Sequence, residues 1–151
     1  MEALEKRISA IENRFAIHDL NVRYFVACDD QDYEALGSMF AEDARLGDTH
    51  GREAILELLR TDRSSMGTTI HALDLETIEV EGGAVSATGF LTCHGELARG
   101  GQSLYGALRY FDEYVRHERD WLYQSRRIEF VHVGPWSEVA DSLTTEFPVR
   151  L

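Results

Sequence analysis

Residues 68–97 read TTIHALDLETIEVEGGAVSATGFLTCHGEL. The first half is rich in β-branched residues, the EGG at 81–83 is a hairpin turn signal, and the second half runs on as a partner strand. Downstream the same grammar repeats. ARGG at 98–101 makes the next turn, 102–117 reads as a long strand, 118–120 as a tight turn, and 121–133 as its antiparallel return. Gly134 and Pro135 end the sheet, and the tail to Leu151 carries no clear period.

Upstream the period changes to that of helices. A first helix over residues 2–28 contains no Gly or Pro, and Asp32 is placed to cap a short second helix over 33–39. A turn at 40–43 and a short strand at 44–46 follow, after which Gly51 opens a third helix over 53–59 with Ile55, Leu58 and Leu59 on its buried side. Three helices followed by about four long hairpin-linked strands predict an α+β fold, with helices covering one face of a curved antiparallel sheet. Such a sheet can enclose a pocket.

The first helix carries an apolar stripe, Leu4, Ile8, Ile11, Phe15, Val22, Phe25 and Val26, at three- and four-residue steps. The spacing predicts that this stripe is the buried face. One step further along it falls Asp29. A carboxylate following a buried face inward needs a partner, a proton or a chemical task.

At 151 residues the chain fits one domain over 1–151. Apolar residues make up 44%, and no run approaches the roughly 20 apolar residues of a membrane span. The formal charge of -12, with Lys6 the single lysine, repels phosphate backbones and anionic lipid, so neither nucleic acid nor a membrane is the expected partner. Cys28 and Cys93 match no zinc or thioredoxin spacing. With a charged, helical start in place of a signal peptide, the expected compartment is the cytoplasm. No HxH, HExxH or CxxC pair, Gly-rich phosphate loop or GxSxG elbow is present, so neither metal nor organic cofactor is expected. His18 and Asp19 read as a pair on the helix surface, with packing of His18 in the stripe as the alternative.

His71 stands at the head of the sheet. If the first helix packs across that sheet, Asp29 and His71 can form a carboxylate–imidazole dyad, which fixes a tautomer and raises the basicity of the free ring nitrogen. From the residues alone, each of the two is equally readable as structural.

The ordered segments IHDLNVRYFVACDDQDYEAL, ARLGDTHGREAILELLR, TIHALDLETIEVEGGAVSATGFLTCHGEL and YFDEYVRHERDWLYQSRRI resemble the SnoaL-like branch of the NTF2-like superfamily, most of all its scytalone dehydratase and hexachlorocyclohexane dehydrochlorinase types. The resemblance covers about residues 16–133. It implies a cone-shaped barrel in which a curved antiparallel or mixed sheet wraps over three N-terminal helices. It also implies that Asp29 and His71 match the catalytic dyad, with His71 as general base, so that a small cyclic or aromatic apolar substrate loses water or halide without a cofactor. Arg126 matches a pocket arginine that stabilises the leaving group, and His94 a second active-site histidine. Tyr24, Phe25 and Tyr110 are then pocket-lining. Two departures stand out. Where the dehydratase has phenols, this chain has Cys28 and Asp48, and Tyr24 replaces the lysine of the dehydrochlorinase. An isomerase or cyclase of the same fold, and a non-catalytic ligand-binding or oligomerisation module, are the alternative readings. Because both faces of the long strands carry apolar residues, a homo-oligomer, dimer or trimer, is expected.

Overall fold

The helical layer begins with a single long rod and is turned back by the two-residue link Gln31–Asp32. In the computed structural model, which describes residues 2–81, 84–97 and 101–138, α1 spans Glu2–Asp30, α2 Tyr33–Ser38 and α3 Arg52–Arg63. Gln31 takes a positive φ of 56° to end α1. Asp32 then caps α2, its carboxylate accepting from the Ala35 amide at 2.9 Å, as its position predicts. The third helix runs one turn longer than the sequence suggests, and Arg60 and Arg63 in its last turn complement the helix dipole.

Between the helices, β1 covers Phe40–Leu46 and β2 Thr49–His50. The turn expected at 40–43 is therefore strand. Tyr123 donates its amide to the Met39 carbonyl at 2.8 Å and Arg52 Nε donates to the Phe40 carbonyl at the same distance, so the chain is held extended from its first residue. The long strands follow as β3 (Met66–Glu81), β4 (Ala84–Leu97), β5 (Ser103–His117) and β6 (Asp120–Pro135). They pair as successive antiparallel neighbours. The tips expected at 81–83 and 98–101, and the tail beyond 138, lie wholly or largely outside the described residues.

One six-stranded sheet results, in the order β2-β1-β6-β5-β4-β3. The β1–β6 pair is parallel, so the sheet is mixed. Its inner face carries Val85, Ala87, Leu108, Tyr110, Tyr114 and Tyr123 and packs on Ile17, Leu20, Tyr24 and Phe25 of α1. This is the α+β arrangement anticipated from the order of elements.

The stripe on α1 was misassigned. Leu4, Ile8, Ile11, Phe15, Val22 and Val26 are exposed, and of that set Phe25 alone is buried. The buried face is Ile17, Leu20, Asn21, Tyr24, Ala27 and Cys28, on nearly the opposite side of the helix at about 100° per residue. Two apolar faces share the same period, and spacing alone does not choose between them. The second face carries Asn21, whose polarity masks it in the sequence.

Packing between β4 and β5 is close at Gly89. A Cβ there would lie 2.1 Å from the ring and hydroxyl of Tyr110, which crosses over the glycine from the paired position. Gly89→Ala is expected to destabilise the fold by about 1–3 kcal/mol through overpacking. Thermal unfolding checks this, and adding Tyr110→Leu, which clears the space, should recover part of the loss.

Candidate active site

Asp29 closes α1 in its last turn, where the helix has no basic residue. It reaches across to the start of β3 and accepts three hydrogen bonds. The Thr69 hydroxyl donates at 2.8 Å, the His71 backbone amide at 2.9 Å, and the third runs between Asp29 Oδ1 and His71 Nδ1 at 2.6 Å. Both side chains are mostly withdrawn from water, with 22% and 16% of their surfaces accessible. Phe25 lies on the imidazole with ring centroids 5.6 Å apart and planes 23° from parallel. Since Nδ1 is engaged by the carboxylate, Nε2 is the ring position available for proton exchange.

A second polar group lies deeper, between α1 and the sheet. Arg126 is fully buried and forks onto Asp112, Nε to Oδ1 at 2.8 Å and Nη2 to Oδ2 at 2.7 Å, with Nη2 also donating to Asn21 Oδ1. Its guanidinium carbon sits 4.2 Å from the centroid of the Tyr24 ring and 4.3 Å from that of Tyr123, with Phe25 and Tyr110 next. Burial works against the charge on Arg126, but Asp112 outweighs it and holds the guanidinium protonated. Nη1 alone is buried with no hydrogen-bond partner among the described residues. Above this pair, Glu76 accepts from Tyr110 at 3.0 Å and from Asn21, and stands 2.8 Å from His18 Nδ1. His18 thus faces Glu76 across the helix–sheet junction, whereas the sequence suggested a surface pair with Asp19 or packing in the stripe.

The remaining sequence candidates divide. Tyr24, Phe25 and Tyr110 are buried around Arg126, and burial pushes both tyrosine hydroxyls well above the ordinary phenol range. Cys28 is buried beside Asp29 in the chain, and desolvation pushes its thiol up from 9.0 to about 11. Burial also raises Cys93, which pairs with His71 across β3 and β4, and Arg63 at the end of α3 opposes the shift at both thiols. Arg63 Nε and Nη2 are hidden from water and have no hydrogen-bond partner among the described residues. His94 and Asp48 are not brought to this group. The pairing of His94 with Ile70 puts it on the sheet face opposite His71, against Tyr105 and Trp136. Asp48 is exposed in the turn between β1 and β2. Among the described residues no three His, Cys, Asp or Glu side chains converge as metal ligands would, and no helix is long and apolar enough to cross a membrane.

The SnoaL-like domain model matches residues 9–127. The chain belongs to the SnoaL-like family. No curated protein sequence matches it significantly, but solved structures do. The SnoaL-like chain is 25% identical to hexachlorocyclohexane dehydrochlorinase LinA type 2 with a TM-score of 0.78, over 85% of this chain and 92% of that one. LinA type 3 from Novosphingobium barchaimii is 24% identical with the same TM-score, over 85% and 93% of the two chains. A protein assigned as a scytalone dehydratase from Novosphingobium aromaticivorans, at 18% identity and a TM-score of 0.78 over 87% and 91%, shares the fold.

Within this SnoaL-like fold, Thr69, Glu76, Asn21, Asp112 and Tyr123 went unnoticed in the sequence. Thr69 was open to discovery, since it precedes His71 by two in a strand and must share its face. Glu76 was hidden by a register shift in β3 between Leu73 and Leu75. Strict alternation from His71 would turn Leu75 inward and Glu76 outward, but Leu75 is 71% exposed and Glu76 points inward.

The raised Cys28 thiol has a consequence for stability. Between pH 9 and about 11 the unfolded chain sheds a proton that the folded chain keeps. Stability should therefore fall with rising pH across that window, by at most about 1.4 kcal/mol per pH unit from this group. Denaturant midpoints of the wild type and Cys28→Ala compared across the window test this, the variant showing the shallower decline.

Proposed function

We propose that the protein is a cofactor-free lyase of the dehydratase or dehydrohalogenase type, acting on a small cyclic or aromatic apolar molecule. The observation that carries the proposal is the 2.6 Å contact of His71 Nδ1 with Asp29, under the stacked Phe25 ring. Neutral His71 takes a proton at Nε2 from a carbon of the substrate. The electron pair of that C–H bond becomes the new C=C bond, and the halide or hydroxyl on the adjacent carbon leaves with its own bonding pair. Asp29 stabilises the imidazolium that forms, and its bonds to Thr69 and the His71 amide keep it from moving. Arg126 offers Nη1 toward the charge that develops on the leaving group. The likeness to a dehydrochlorinase supports this reaction class.

An isomerase would use the same proton abstraction and return the proton to another carbon, whereas a cyclase would direct the freed electron pair onto a carbonyl carbon of the same molecule, closing a C–C bond while the carbonyl π pair takes the proton on oxygen. Running the reaction in deuterium oxide separates isomerase from lyase, because only the return step puts solvent deuterium on carbon of the product, and a cyclase releases neither water nor halide in the closure step. The non-catalytic reading draws on a different observation, the filling of the interior by Tyr24, Tyr110 and Tyr123. The homo-oligomer expected from the strands is part of the proposal, with Ile70, Leu75, Phe130, Val131 and Val133 exposed.

A panel of halogenated cycloalkanes and hydroxylated cyclic ketones, followed by halide release and by ultraviolet absorbance, tests the reading. His71→Ala should lower the rate about 10²–10⁴-fold, and Asp29→Asn should also slow it, both with wild-type circular dichroism. Equal rates for His71→Ala and wild type would overturn the dyad mechanism.

A further inference from the structure

The misassigned stripe on α1 has a finer pattern than a scatter of exposed apolar residues. Leu4, Ile8, Ile11, Phe15, His18 and Val22 follow one another at alternating steps of four and three, the spacing of a heptad seam. Ile8, Phe15 and Val22 occupy the first core position and Leu4 and Ile11 the second, while the next second-position residue, His18, is held by Glu76 of β3, so the free apolar seam runs from Leu4 to Phe15. The exposure is large where the seam is most apolar: 58% for Leu4, 47% for Ile8, 53% for Ile11 and 66% for Phe15. A monomer leaves this side of the helix in water, since the body packs on the opposite side through Ala10, Asn13, Ile17 and Leu20.

The charges beside the seam are sorted. Glu5, Glu12 and Asp19 flank it on one side, and Arg7 and Arg14 on the other, all exposed. In a parallel pair of helices each flanking residue meets the residue five places later on the opposite flank of the partner helix. Arg7 then meets Glu12 and Arg14 meets Asp19, in both directions across the two-fold axis. An antiparallel pair would set acid against acid and arginine against arginine. The pattern is thus complementary to itself in one orientation and register.

We infer that α1 is a parallel, in-register docking surface for α1 of a second copy of this chain, sealed by Leu4, Ile8, Ile11 and Phe15 and aligned by Arg7–Glu12 and Arg14–Asp19 pairs between copies. The two bodies lie on the outer sides of the helix pair, where the inner faces of α1 already hold them. This surface is separate from the outer face of the sheet, and it does not depend on any catalytic reading.

Two experiments test it. In a Cys93→Ser background, which leaves the buried Cys28 as the remaining native thiol, Ile11→Cys places a thiol where the two copies meet on the axis, so oxidised glutathione should convert the variant to a disulfide-linked dimer while the Cys93→Ser parent remains uncrosslinked on a non-reducing gel. Arg7→Glu/Arg14→Glu and, separately, Glu12→Arg/Asp19→Arg should each sediment at half of the wild-type mass, and mixing the two variants should restore it. Failure of Ile11→Cys to crosslink, or an unchanged mass in both charge-reversed variants, would overturn the proposal, and any oligomer left would belong to the sheet.

Discussion

The structure depends on a carboxylate at the wrong end of a helix. Asp29 sits in the final turn of α1, where the dipole places negative charge and no basic side chain offsets it, at a cost of about 0.3–1 kcal/mol. Three donors from β3 surround the same carboxylate. Hydrogen bonds to a charged group are worth about 1.5–3 kcal/mol each, so the clamp outweighs the dipole comfortably. One of those donors is a backbone amide, and it fixes where the strand starts relative to the helix end. The imidazole is thereby oriented by the same bonds that fasten the fold, which couples the local chemistry to the architecture.

Behind the clamp, the interior is unusually polar for a space walled by aromatic rings. Arg126, Asp112, Asn21, Tyr114 and Tyr123 satisfy one another almost completely, with Asn21 Oδ1 serving three donors. Desolvating such a pair is expensive, and the forked geometry with flanking rings is what makes it tolerable. A well-packed apolar core would hold the helix to the sheet as firmly. What the polar arrangement adds is a guanidinium paired with Asp112 inside an acidic protein, one donor of which has no partner among the described residues.

Much of the architecture was legible because paired glycines stand between the long strands in the sequence, at 82–83 and 100–101, and the first helix contains no Gly or Pro. The Asp32 cap and the starts of the long strands fall where the residues indicate. Asp29 does lie against His71, but the stripe leading to it is exposed along most of its length, and β3 also meets the helix midway, through Glu76 at His18 and Asn21. The polar interior resisted reading for two physical reasons. Asn21 interrupts the apolar face that does the packing, and the irregularity near Asp74 reverses which side of β3 each later residue takes. Periodicity assumes an unbroken ladder, and this ladder is broken next to the site.

The parallel pairing of β1 with β6 bears on how the chain reaches this state. The hairpins from β3 to β6 close short loops and can form early, as can the capped helices. Phe40 and Tyr123, by contrast, become neighbours only when nearly all of the intervening sheet is in place. Arg126 and Tyr123 lie on the strand that β1 must find, so the edge that receives β1 is also the one that carries the buried guanidinium. Contact order thus makes that parallel edge slow to form, and the speed of folding should follow it.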